Sequence, residues 1–168
     1  GQRALEPAAE PMTLDTIFDA ASVTKVVATT TAVMQLVEQG RVRLSDRVST
    51  YVPGFERYGK GAITVRHLLT HTSGLRPDLD LGDEWEGAGT AIARAVEEVP
   101  LAAPDERFVY SDIGFFLLAH IVEQVTGQPF AEYTKAHVFS PIGMTDTMFV
   151  PPAPLQPRCG ARSPLCRP

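Results

Sequence analysis

Ser22-Val23-Thr24-Lys25 puts a hydroxyl and an amine three residues apart, where an extended stretch, Thr16 to Ala21, gives way to a long amphipathic segment. The pairing suits acyl transfer. A serine hydroxyl attacks an acyl carbon only when a proton acceptor stands within hydrogen-bond reach. Side chains at i and i+3 of a helix share a face, with Cβ atoms roughly 5 to 6 Å apart, so the Lys25 amine can approach the Ser22 hydroxyl. A helix N-terminus carries about half a positive charge, which favours a neutral amine in the first turn, as a general base requires. The plain structural alternative is that Ser22 only caps the helix.

The elements that must position this pair are mostly helices. Val26, Val33, Met34 and Val37 recur at helical spacing over 22–39, with Gly40 as the stop, and predict a central buried helix. Ser45 is expected to cap a short helix to about Tyr51, and Thr64 another through Leu68 and Leu69. An amphipathic helix is expected over 89–98, ended by Pro100. After the brief extended Phe108-Val109-Tyr110, Ser111 or Asp112 should cap an apolar helix to Val125 that Gly127 closes. A last helix should follow Pro129 to about Val138. Strands are scarce.

Other clusters weigh little as chemistry. His67 and His71 stand four apart, but no Glu takes the zinc-protease position and no third ligand is evident, so no metal is expected. His71 is expected to hydrogen-bond a neighbouring loop. Glu97 and Glu98 are adjacent, not facing, and read as solvated surface. Trp85, in an acidic loop with glycines, reads as a loop anchor that could rim a pocket. There is no glycine-rich phosphate loop and no sign of an organic cofactor.

At 168 residues, with 44% hydrophobic and 21% charged residues, the composition is that of a globular chain with a real core. No run approaches the roughly 18 apolar residues that span a bilayer. A net charge of -5 without a basic cluster argues against nucleic acid and for a small-molecule or peptide partner. Residues 151–168 hold six of the 14 prolines and both cysteines, Cys159 and Cys166. This tail reads as disordered with unpaired thiols, a disulfide over a short loop being the alternative.

Three blocks, FDAASVTKVVATTTAVMQLVEQGRVRLSDRVSTYVPGF, ITVRHLLTHTSGL and FVYSDIGFFLLAHIVEQVTGQPFAEYTKAHVFSPIGMTDT, together resemble the serine beta-lactamase-related family of class C beta-lactamases, penicillin-binding carboxypeptidases and esterases. The resemblance covers about residues 12 to 150. It implies an α+β, beta-lactamase/transpeptidase-like fold, represented here mainly by its helical portion: a partial domain over 1–150, then the tail. It also implies Ser22, Lys25 and Tyr110 as catalytic residues, and it suggests a periplasmic or extracellular setting.

In the family a Tyr-x-Asn projects into the pocket beside the serine, and Tyr110-Ser111-Asp112 stands in that place. A phenol there can relay the Ser22 proton if nearby cations lower its pKa from about 10. Asp112, the expected substrate-binding residue, departs from the commoner Asn, because an ionised Asp only accepts while Asn also donates. That departure weakens beta-lactam recognition and leaves ester and peptide-like substrates open. A third family block, Lys-Thr-Gly or His-x-Gly, whose N–H completes the oxyanion hole, does not occur after Tyr110. The expectation is therefore a serine hydrolase acting through an acyl-enzyme, as a piece of a longer protein. The alternative is a non-catalytic helical module that needs a partner or the rest of its parent chain.

Overall fold

A computed structural model describes residues 1–5, 8–80 and 86–160. Lys25–Thr30 forms a π-helical stretch that runs into helix α1, Thr31–Glu38. The local sequence accounts for the wide turn. Val26, Val27, Thr29, Thr30 and Thr31 are β-branched and crowd a regular helix, and Thr31 Oγ1 donates 3.2 Å to the carbonyl of Val26, five residues back. Gly40, at φ +70°, turns the chain out of the helix in a conformation that favours glycine.

Thr64 opens α2, Val65–Leu69, as expected: its side chain accepts from His67 N–H while the His67 ring accepts from Thr64 N–H. Helix α3 spans Ala88–Glu97. Helix α4, Asp112–Thr126, is capped by the Ser111 side chain, so Asp112 is released from the capping role, and Gly127 ends it in the left-handed region. Helix α5, Phe130–Thr134, continues into a π-helical turn, Lys135–Phe139.

Helix α4 is the hub, packing on α1, α2, α3 and α5. Ile113, Leu117, Leu118 and Ile121 are removed from solvent there, each contributing about 1.5–3 kcal/mol relative to exposure. Lys60 is also buried, its ammonium donating to the carbonyls of Val96 and Glu98 at the end of α3, where a cation is favoured.

Among the described residues, strands are limited to an antiparallel pair, β1 (Gln2–Ala4) and β2 (Glu10–Pro11), besides isolated bridges. The helix expected to be wholly buried is not. Ala28, Ala32, Val33 and Leu36 face the core, whereas Val26 is 68% and Met34 41% exposed, since only one stripe of the helix meets α4 and its neighbours. Ser45 caps nothing; the short turn is a 3-10 helix over Val48–Thr50 preceded by Arg47. Asp46 instead takes the Arg43 N–H and the Tyr51 hydroxyl.

Within the proline-rich segment read as a disordered tail, Ala153–Arg158 form a 3-10 helix, and Cys159 bridges to Ile17 in parallel. Cys159 is disulfide-bonded, which corrects the reading of unpaired thiols. Cys166 and Trp85 lie outside the described residues.

Candidate active site

Two strained or tight turns present Ser22. Ala21 sits at φ +42°, rare for a residue with a Cβ, and its N–H donates 2.9 Å to Asp19 Oδ1. Val23, Thr24 and Lys25 then donate to the carbonyls of Ala20, Ala21 and Ser22, starting the helix. Ser22 is exposed, and among the described residues its N–H makes no hydrogen bond, as expected for the open end of a helix.

Lys25 lies on the same face. Its Nζ donates 3.1 Å to Ser22 Oγ and stands 2.5 Å from Asp112 Oδ1. The second contact is an ion pair: Asp112 Oδ1 is buried and, among the described residues, makes no hydrogen bond of ordinary geometry. Burial acts to lower the Lys25 pKa, but Asp112 and then Tyr110 outweigh it, and the net shift is upward. The expectation of a neutral amine is thereby corrected. A carboxylate in contact outweighs the partial charge of a helix end, so Lys25 rests as an ammonium.

Tyr110 completes the group. The Lys25 ammonium is 5.0 Å from the centre of its ring and 5.8 Å from that of Phe115. The Ser22 hydroxyl, first, and Lys25, next, pull the phenol pKa below its ordinary value, with Asp112 opposing. Tyr110 belongs to a segment laced to residues 71–77. Leu101 N–H donates to Gly74 O, Asp105 N–H to Thr72 O, Val109 N–H to His71 O and Asp112 N–H to Pro77 O, and Ser111 Oγ donates 2.6 Å to Arg76 O. His71 meets its neighbouring loop as expected: its Nδ1 accepts 3.0 Å from Ser111 N–H.

Ser22, Lys25, Tyr110 and Asp112, drawn from two distant stretches of sequence, are thus brought together. Beside them is a cavity of about 330 Å³ whose lining includes Ser22, Lys25 and Asp112 with Phe115, Phe116 and Phe130. Sequence reasoning did not select these aromatic residues. Phe116 is 42% exposed on a helix whose apolar residues are otherwise mostly buried, a difference that appears only in the fold. A larger cavity, about 470 Å³, is lined by Phe18, Val23, Val27 and Phe139 among others but by neither Ser22 nor Lys25, whereas the smaller one is lined by both. His67 takes no part in the site: with Arg66 and Thr72 it hydrogen-bonds the Asp105 carboxylate.

The Beta-lactamase family model matches residues 1–164. Over 153 residues the chain is 33% identical to a protein of Escherichia coli (strain K12) provisionally named a D-alanyl-D-alanine carboxypeptidase, covering 83% of this chain and 35% of that one. The chain therefore spans about a third of the length of the curated relatives it matches. Its structure is similar to a class C beta lactamase from Rhodobacter sphaeroides (TM-score 0.80, 25% identity, 95% of this chain and 44% of that). It is similar also to EstCE1, described as a hydrolase with promiscuous acyltransferase activity (TM-score 0.82, 26% identity, 95% and 46%).

Proposed function

The chain belongs to the beta-lactamase family, whose serine hydrolases share this helical architecture, and from that premise we propose that Ser22 is an acylated nucleophile served by Tyr110 and Lys25. The observation that carries the reading is the Lys25 ammonium, 3.1 Å from Ser22 Oγ and beneath the Tyr110 ring.

A cation so placed keeps the phenol acidic, and the ionised Tyr110 oxygen takes the Ser22 proton as the bond from Oγ to the acyl carbon forms. The same proton passes to the leaving group as the acyl bond breaks, and water then clears the acyl-enzyme. Ser22 N–H at the open helix end supplies one donor to the oxyanion. The second is not provided by any Lys-Thr-Gly or His-x-Gly after Tyr110, so full turnover belongs with residues supplied from elsewhere. Loss of one such donor costs about 100- to 1000-fold.

Asp112 offers acceptors only, and its Oδ1 is committed to Lys25. A substrate amide carbonyl finds no donor there. That weakens beta-lactam recognition and leaves activated esters and peptide-like substrates open, the E. coli relative being named for D-alanyl-D-alanine carboxypeptidase activity. The test is the pre-steady-state burst of p-nitrophenol from p-nitrophenyl acetate. One equivalent with the wild type and none with Ser22→Ala supports the reading, and equal release from both overturns it.

One observation favours the second reading, a helical module completed from elsewhere. Phe18, Val23 and Val26 are 66%, 58% and 68% exposed, an apolar face left open among the described residues. A monodisperse monomer in gel filtration, unfolding cooperatively, would count against it.

A further inference from the structure

Given Tyr110 as the proton carrier of the proposed function, we infer that His71 is its positioning residue, a clamp that holds the segment 109–111 by three separate contacts. The carbonyl of His71 accepts the Val109 N–H at 2.9 Å. Its ring Nδ1 accepts the Ser111 N–H at 3.0 Å. Between those two bonds its ring lies stacked on the Tyr110 ring, centres 4.4 Å apart and planes 30° from parallel. Three consecutive residues are therefore held by one, with the phenol in the middle.

The protonation pattern follows from the donor. A backbone N–H can only donate, so Nδ1 carries no proton and the imidazole is neutral, its proton on Nε2. Burial, first, and the Lys25 ammonium, next, disfavour the charged ring. Phe108 and Phe115 enclose the rest of it, at 5.7 and 5.1 Å between ring centres. His71 does this from φ +57°, a left-handed conformation that few side chains other than Asn, Asp and His adopt readily. That backbone setting turns its carbonyl and ring toward the same neighbouring strand of chain. A ring required only for packing would need neither the acceptor nitrogen nor the strained backbone.

The test uses the intact chain labelled with ¹³C at the tyrosine ring, the Tyr110 resonance being identified by its loss in Tyr110→Phe. Two quantities are read: the titration of the Tyr110 phenol, and the rate of Ser22 labelling by a fluorophosphonate. His71→Asn keeps an acceptor near the Nδ1 position and tolerates a positive φ, whereas His71→Phe keeps a ring without an acceptor. His71→Gln, whose amide mimics Nε2 instead, replaces the Phe variant if that fails to fold. We expect Tyr110 to titrate below the ordinary phenol range in the wild type and in His71→Asn. In His71→Phe it should return to that range, with labelling slowed roughly 100-fold, the loss associated with a misplacement of about 1 Å. His71→Asn should lose less than about tenfold, because the acceptor is restored. Wild-type titration and labelling in His71→Phe would overturn the inference, as would an Asn variant no better than the Phe variant. Wild-type labelling in Tyr110→Phe would instead overturn the catalytic use of Tyr110, while the titration still reads the clamp.

Discussion

Lys25 Nζ stands 2.5 Å from Asp112 Oδ1, so the cation of the site is tied to the first residue of α4 as well as to Ser22. The pair gives Lys25 a raised pKa despite its burial. It also opposes, through Asp112, the fall in the Tyr110 pKa. Asp112 therefore favours the protonated form of both groups, although the net shift of the Tyr110 phenol is downward.

Replacing Asp112 by Asn should release that hold. Without the carboxylate the Lys25 and Tyr110 pKa values both move down, so the deprotonated form needed for attack is populated at lower pH. The acid limb of the pH–rate profile for Ser22 acylation should shift to lower pH in Asp112→Asn, and it can be followed with an activated ester. A limb that stays in place would contradict the coupling.

Lys25→Met should slow acylation by about 100-fold or more, within the range for loss of a proton-transfer partner. It should also return the Tyr110 phenol toward its ordinary titration range, because the cation beneath the ring is gone. Both effects are measurable on one protein by stopped-flow acylation and tyrosine NMR. An unchanged phenol titration would show that Lys25 does not tune Tyr110.

Gly74→Ala should destabilise the platform that carries Tyr110. Gly74 lies at φ +76°, and a Cβ there would fall 2.0 Å from the carbonyl oxygen of Ala102, on the strand of chain that Gly74 holds through Leu101 N–H. Strain and displacement together should cost at least about 2 kcal/mol, read as a lower denaturant midpoint. Wild-type stability would contradict the tight approach of the two segments.

Acid should loosen the same region through Asp105. Hydrogen bonds from Arg66, first, with His67 and Thr72, hold its carboxyl at about 2 against an ordinary value of 3.8. A depressed folded-state pKa contributes stability above the unfolded value and loses it as pH falls through the folded one. The stabilisation of wild type over Asp105→Asn should thus diminish between about pH 4 and pH 2. A difference that is constant across that window would exclude Asp105 as the source.

Much of the site could be read along the chain because its parts obey local rules. Ser22 and Lys25 share a helical face, Thr64 caps α2 through a local box, and Gly127 ends α4 where the apolar period stops. The charge state of Lys25 could not, since it is set by a carboxylate from a distant segment rather than by the helix end. His71 shows the same limit. Its sequence neighbourhood suggests only a loop histidine, and its hold on 109–111 depends on a positive φ and on a segment some forty positions away. The exposed Val26 and Met34 reflect which stripe of the helix meets α4, a tertiary choice that helical spacing alone leaves open.

The most direct test of Ser22 as nucleophile is intact-mass spectrometry of the chain after incubation with a fluorophosphonate, with Ser22→Ala as control and a fluorescent penicillin in parallel. We predict a single phosphonate adduct on the wild type, absent from Ser22→Ala, and weaker labelling by the penicillin. An adduct that persists in Ser22→Ala, or a wild type that takes up no phosphonate, would contradict an assembled Ser22, Lys25 and Tyr110 site in this chain.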